Sequence, residues 1–250
     1  MSTETIRHQF KELRLYTAAA ELEDVLAQEK KSVTLHWLST LLHREIDARK
    51  ERALTLRIKH AQFPELTTLE SFDWDFNPDI DRSTIMELST LGFIKRKDIA
   101  LFLGKPGTGK THLALAIGVK AIYAGMRVYC SSVKRLSAQI TLAKANNSLD
   151  SLFKRILSAH LWILDDWGVV SMPSSVAEEV FDLLDRRKYS SALLLTSNRD
   201  VSEWRSVFPD PVLAGAAIDR LFDRATVVTF LGKSYRLQGK ISLPNNDCSD

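Results

Sequence analysis

Eight residues in the middle of the chain, Gly104-Lys-Pro-Gly-Thr-Gly109-Lys110-Thr111, limit what it can fold into more than any other feature. They match G-x-x-x-x-G-K-[ST] and stand between an apolar run, Ile99–Leu103, and a stretch of helical periodicity, Thr111–Ala124. A glycine turn entered from a strand and leaving into a helix is a phosphate-binding loop. Its glycines let the backbone wrap phosphate oxygens closely. Its amides and the helix N-terminus offer positive ends, and its lysine neutralises β- and γ-phosphate charge. The expected contacts to ATP are Gly104, Lys105, Pro106, Gly107, Thr108, Gly109, Lys110 and Thr111, with the Thr111 hydroxyl also a ligand of magnesium.

The rest of the chain repeats the alternation. Strand patterns at Arg127–Cys130, Leu161–Asp165, Leu193–Thr196 and Thr226–Leu231 are separated by helical ones at Val133–Ala143, Leu149–Ser158 and from about Ser175 to Tyr189. With Ile99–Leu103 this makes an α/β fold with a five-stranded parallel sheet covered by helices. Leu161–Asp165 is apolar until its acid, as a strand buried on both faces should be. Ser175-Val-Ala-Glu178 reads as a capping box, and Asp210-Pro211 as an N-cap with proline at the first helical position.

From Thr3 to about Lys59 there is neither glycine nor proline, and Leu38, Leu42 and Ile46 recur four apart between charged neighbours. Two or three amphipathic helices are expected there. Phe63-Pro64 ends them, because proline lacks a backbone donor and disfavours helix in the residue before it. The boundary falls near residue 66. This yields a small helical domain over 1–66, a nucleotide-binding domain over 67–240 and a polar tail over 241–250. The acidic and aromatic segment from Leu66 to Asp81 reads as a linker pressed against the second domain, with a helix after it at Ser83–Leu91.

A chain of 250 residues that is 45% apolar can bury a sizeable core. Its 34 basic and 31 acidic residues permit a nucleic-acid partner without requiring one. Two cysteines, Cys130 and Cys248, suggest no disulfide framework, and six scattered histidines argue against a zinc site. No run approaches the roughly 18 apolar residues that span a bilayer, so a soluble cytoplasmic protein without a membrane partner is expected.

A phosphate-bound magnesium needs a carboxylate at the end of a neighbouring buried strand, and Leu161-Trp-Ile-Leu-Asp165-Asp166 supplies one. Asp165 is assigned to the metal, and Asp166 to orienting or deprotonating the water that attacks the γ-phosphate. Asn198 follows another apolar strand, where it is either a turn residue or a neutral holder of that water. Arg220 and Arg224 stand four apart near a helix end. They either complement the helix dipole or offer a guanidinium to the γ-phosphate of a neighbouring subunit.

With those residues in place the chain resembles the IstB-type proteins, ATPase helpers of insertion-sequence transposition, and more broadly the DnaC and DnaI helicase loaders. The resemblance is carried by Arg57–Leu69, the linker Phe72–Phe76, GKTHLA with His112, the Asp165-Asp166 pair and Thr196-Ser-Asn-Arg199. It continues through Val201-Ser-Glu-Trp204, Phe208-Pro-Asp-Pro211-Val-Leu, Asp219-Arg220-Leu221 and Gly232-Lys-Ser-Tyr235-Arg236. It implies an AAA+ core in which Lys110, Thr111 and His112 belong to the nucleotide site and Asp165 holds magnesium. Asn198 is then the polar sensor and Arg220 a finger acting in trans, with Arg224 the fallback. Arg236 is left between a phosphate or neighbour contact and a solvated side chain. Two departures stand out. The family commonly has Asp-Glu where this chain has Asp165-Asp166, one methylene shorter, and no long helical lid follows the last strand.

For DNA the sequence offers Arg44, Arg49, Lys50, Arg52, Arg57 and Lys59, and in the core Lys134, Arg135, Lys144, Lys154 and Arg155. Glu45, Asp47 and Glu51 interleave the first group, as on an ordinary solvated helix. Contacts to double-stranded DNA would run through phosphates, with little sequence preference. The resemblance implies an ATP-dependent homo-oligomer, ring or spiral, that assembles on DNA, assists a transposase and comes apart on hydrolysis. Its rivals are a replicative helicase loader and a solitary P-loop enzyme without a nucleic-acid role.

Overall fold

The computed structural model describes residues 2–28 and 36–237, so the 241–250 tail and Cys248 lie outside the described residues. The chain divides into two compact units, Met1–Leu56 and Arg57–Asp250. The first comprises helices α1 (Thr3–Glu12), α2 (Tyr16–Gln28) and most of α3 (His36–Ala61). Ser2 caps α1 by accepting from the Thr5 amide. The four-residue spacing read from the sequence puts Leu42 and Ile46 on one face of α3, where they meet Ile6, Leu13 and Leu22 in a small core, with Leu38 at its edge.

The second unit contains α4 (Arg82–Leu88), α5 (Gly92–Arg96), β1 (Ile99–Gly104), α6 (Lys110–Tyr123), β2 (Val128–Ser132) and α7 (Val133–Ala145). It continues with α8 (Leu149–Leu157), β3 (Leu161–Trp167), α9 (Ser174–Arg187), β4 (Ala192–Ser197), α10 (Pro211–Phe222) and β5 (Ala225–Phe230). The five strands pair in the order β2-β3-β4-β1-β5, all parallel. β1 therefore lies between β4 and β5, and the strand carrying Asp165 sits two places from the P-loop strand. Burial of Ile99, Leu101, Trp162, Leu164, Leu193 and Leu195 on one sheet face, against α7 to α10, makes the main core.

The Arg57–Leu66 segment belongs to the second unit, so the division falls within α3 and not near residue 66. The cause is local packing. Ala61 is fully buried, Gln62 turns the chain with a φ of 60°, and Arg135 donates to Gln62 Oε1 at 2.7 Å. The helix expected at Ser83–Leu91 is α4, which stops at Leu88; Leu91 takes a left-handed φ of 65° and a second short helix, α5, starts beyond it at Gly92. The capping box expected at Ser175–Glu178 does not form. α9 starts at Ser174 after Pro173, whose fixed φ suits the entry but whose side chain has nothing to donate or accept. A capping box forms instead at Asp200 and Glu203, opening the 3-10 turn Val201–Val207. Asp210 caps α10, with Pro211 in its first turn, as read from the sequence.

Candidate functional site

Where β1 ends, the loop leaves the sheet through positions that tolerate no side chain. A Cβ on Gly104, whose φ is 147°, would lie 2.1 Å from the Phe230 carbonyl oxygen, and one on Gly109, with φ 102°, would lie 2.4 Å from the Phe72 ring. The loop then enters α6 with Lys110 almost wholly buried. Lys110 Nζ donates to the Lys105 carbonyl at 2.6 Å. Burial pushes its pKa down to about 8, although the Asp165 and Asp166 charges pull the other way.

Asp165 and Asp166 are consecutive, and in a regular strand their side chains would face opposite sides of the sheet. Pairing of β3 with β4 is irregular between Leu164 and Trp167, and Asp166 has a φ of 59°. This bulge turns both carboxylates into one cleft. Aspartate visits that backbone region more readily than most side chains, glutamate included, which suits the departure from the family's Asp-Glu pattern. The Thr111 hydroxyl donates to Asp165 Oδ1 at 2.9 Å, and the Thr196 hydroxyl donates to the same oxygen. Thr196 Oγ1 also accepts from the Asp166 amide at 3.1 Å. A hydroxyl and a carboxylate held together are hard oxygen donors of the kind magnesium selects, so these residues fit that ion.

The Asp166 carboxyl is raised in pKa, first by burial and then by the adjacent Asp165 charge, while Arg236 and Lys110 oppose the shift. Asn198 Nδ2 donates to Asp166 Oδ1 at 3.2 Å. β4 lies beside β3, so Asn198 reaches the same cleft. Thr196, given no role from sequence, proves to be the residue that joins the two aspartates. Its signal was the run of small polar residues ending an apolar strand.

The cleft, about 390 Å³, is large enough for a nucleotide-sized ligand. Its far wall comes from both ends of the second unit. The Thr67 hydroxyl donates to the His112 carbonyl at 3.0 Å, and His112 Nε2 lies 3.1 Å from the Thr68 carbonyl. His112 lines the cleft and also fastens the linker over α6. Phe72 then covers Gly109, and Phe76 meets the Tyr235 ring edge-on, centroids 5.0 Å apart. Asn77 clamps the C-terminal segment, accepting from the Lys233 amide at 3.0 Å and donating to its carbonyl at 3.1 Å. This brings Arg236 into the cleft. Periodicity could not reveal these contacts, since the linker has none.

Arg220 is elsewhere. It does not line the cleft; at the end of α10 it donates to Asp185 Oδ1 at 2.7 Å and to Asp219 Oδ2 at 3.2 Å. Arg224 is exposed at the start of β5 with a φ of 56°. Several cations offered for DNA are paired within the fold. Arg49 and Arg52 meet Glu45, Lys50 meets Glu12, and Lys144 meets Glu179. Arg44, Arg57, Lys59, Lys134 and Lys154 make no ion pair among the described residues.

Residues 8–242 match the model of the family described as IstB-like ATP binding protein. The chain belongs to this family. It is 38% identical over 230 residues, 91% of its length and 87% of the relative's, to the insertion sequence IS21 putative ATP-binding protein of Pseudomonas aeruginosa. It is 35% identical over 204 residues, 82% of its length and 81% of the other's, to the IS5376 putative ATP-binding protein of Geobacillus stearothermophilus. Among solved structures it is similar to DnaI, with TM-score 0.57 at 19% identity, covering 66% of this chain and 91% of that one. It is equally similar to AMPPCP-bound DnaA from Aquifex aeolicus, with TM-score 0.57 at 21% identity, over 70% of this chain and 53% of that one. At those identities the likeness is one of fold, a parallel five-stranded sheet covered by helices. No helix among the described residues is long and apolar enough to cross a membrane.

Proposed function

We propose that this IstB-like protein is a magnesium-dependent ATPase that assembles on double-stranded DNA when ATP is bound, assists a transposase and disassembles on hydrolysis. The observation that carries the reading is the division of the machinery. The P-loop, both aspartates and Asn198 share one cleft, while Arg220 stands outside it on the surface, 39% exposed. A guanidinium so placed serves a phosphate only if that phosphate belongs to another subunit. The insertion-sequence names of the relatives support the transposase link. The helical front end, Met1–Leu56, would bind DNA or the partner, and the unit from Arg57 onward would carry the ATPase.

In this reading Lys110 leaves the Lys105 carbonyl for the β- and γ-phosphates, and the loop amides hold the remaining oxygens. Thr111 and Asp165 would hold magnesium, which would supply neutralising positive charge there. Thr196 fixes the Asp165 oxygen, and the Asn198 amide occupies Asp166 Oδ1, leaving Oδ2 to accept a hydrogen bond from the attacking water. The raised proton affinity of Asp166 suits a group that takes a proton during the step. Arg236 adds positive charge to the cleft beside Asp166. Arg220 of the next subunit then stabilises the charge that spreads over the leaving phosphoryl group.

Subunit mixing tests this. Arg220→Ala and Asp166→Asn subunits, each inactive alone, regain part of the parental turnover when mixed on DNA. If mixing recovers nothing, the shared site is refuted. Imaging with DNA and a non-hydrolysable ATP analogue would show the oligomer directly, and a monomer under those conditions would refute assembly.

A further inference from the structure

The ends of α9 and α10 are joined by two ion pairs in register. Asp185 meets Arg220, and one turn further Lys188 Nζ meets Asp223 Oδ2 at 3.1 Å. α9 is itself anchored there, because the next residue but one, Arg187, is buried and reaches the carbonyls of Lys97 and Ser191 at 3.4 and 3.5 Å. Asp185 therefore stands on a fixed base, whereas an arginine side chain left to itself samples many rotamers.

We propose that Asp185 is a positioning residue for Arg220, holding its guanidinium by Nε so that the far end is presented to a phosphate of the adjoining subunit. The inference rests on the reading of Arg220 as a finger acting in trans. A guanidinium has five N–H donors. Asp185 takes the one on Nε and Asp219 one on Nη1, leaving three without a hydrogen bond among the described residues. Such an exposed pair adds little to stability, since both side chains remain well solvated. Its effect is on orientation: the arginine arrives at the interface with its rotamer already chosen. The carboxylate acts through Arg220 and touches no substrate. The Lys188–Asp223 pair ties the same helix ends without touching the guanidinium, which separates holding the helices from aiming the arginine.

Steady-state ATP turnover on DNA by the full chain is the test. Asp185→Ala should lower kcat about ten- to a hundredfold, as small misplacements of catalytic groups do. KM and melting temperature should hold. Asp185→Glu should recover part of the loss, and Lys188→Ala should leave kcat at the parental value. Asp185→Ala subunits keep an intact ATP cleft, and Asp166→Asn subunits keep the phosphate loop and a well-aimed Arg220, so mixing the two should restore turnover. Parental kcat in Asp185→Ala, with turnover lost in Arg220→Ala, overturns the positioning role alone. Equal losses in Asp185→Ala and Lys188→Ala overturn it as well, reducing the carboxylate to a structural tie. Parental turnover in Arg220→Ala overturns the trans reading and this inference with it.

Discussion

The nucleotide cleft and the Arg220 surface are built on opposite plans. In the cleft Lys110, Asp165 and Asp166 are buried or half-buried, and each is answered by a neighbour: Lys110 by the Lys105 carbonyl, Asp165 by Thr111 and Thr196, Asp166 by Asn198. At the end of α10, Arg220 is solvated and shares two aspartates that are themselves half or more exposed. Burial makes the first region sensitive to a single atom, because an unmatched charge there has no water to fall back on. The second stays indifferent until something dries it. One region is complete within the chain; in the proposed reading the other gains its energetic weight only at an interface.

The strongest way to break the comparison is Arg220→Ala. Turnover on DNA should fall by on the order of 10³–10⁵, the worth of an arginine finger, while ATP binding measured by calorimetry stays parental. Loss of ATP affinity would place Arg220 in its own cleft. Next, Lys110→Ala should weaken ATP binding by about 2–5 kcal/mol, since a buried charge partner is removed; unchanged affinity would sink the phosphate assignment. Gly109→Ala should cost about 1–3 kcal/mol through its left-handed backbone and its approach to Phe72. Gly125→Ala is the control, because it shares a left-handed φ of 84° but meets nothing within 4 Å. It should leave ATP affinity untouched, and an equal loss in both would mean that backbone strain alone is measured.

The pH response sharpens the contrast further. Lys110 of the free protein loses its proton as pH rises through about 8, so ATP affinity should fall about tenfold between pH 7 and 9. Binding near pH 8.5 should take up a proton, because phosphates restore the charge. Calorimetry in buffers of different ionisation heat reads that uptake, and its absence would contradict the burial argument. Arg220, raised in pKa by Asp185, stays charged throughout, so the finger should show no such dependence. The smallest expected effect is on DNA: log affinity should fall linearly with log salt, alike for unrelated sequences. One preferred site would refute recognition through phosphates.

Local chemistry made the P-loop legible in the sequence. Its glycines, lysine and threonine are contiguous, and only a strand-to-helix turn uses them together. The five strands were legible for a related reason, since apolar runs such as Leu161–Leu164 have few other fates in a chain of this length. The α9 entry was misread because a capping box is a four-letter pattern, and the helix enters at Pro173, two residues before the expected cap at Ser175, without a side-chain cap.

Residue order alone determined which residues form the glycine loop, which acids end a buried strand and how many strands surround them, because each depends on neighbours along the chain. Tertiary structure decided that two adjacent aspartates face one way, that Thr196 joins them, that the aperiodic linker and Arg236 wall the cleft, and that Arg220 is kept outside it. Those are contacts between segments up to 156 residues apart, as between Asn77 and Lys233. They are set by a bulge, a glycine's missing Cβ and the order of strands in the sheet.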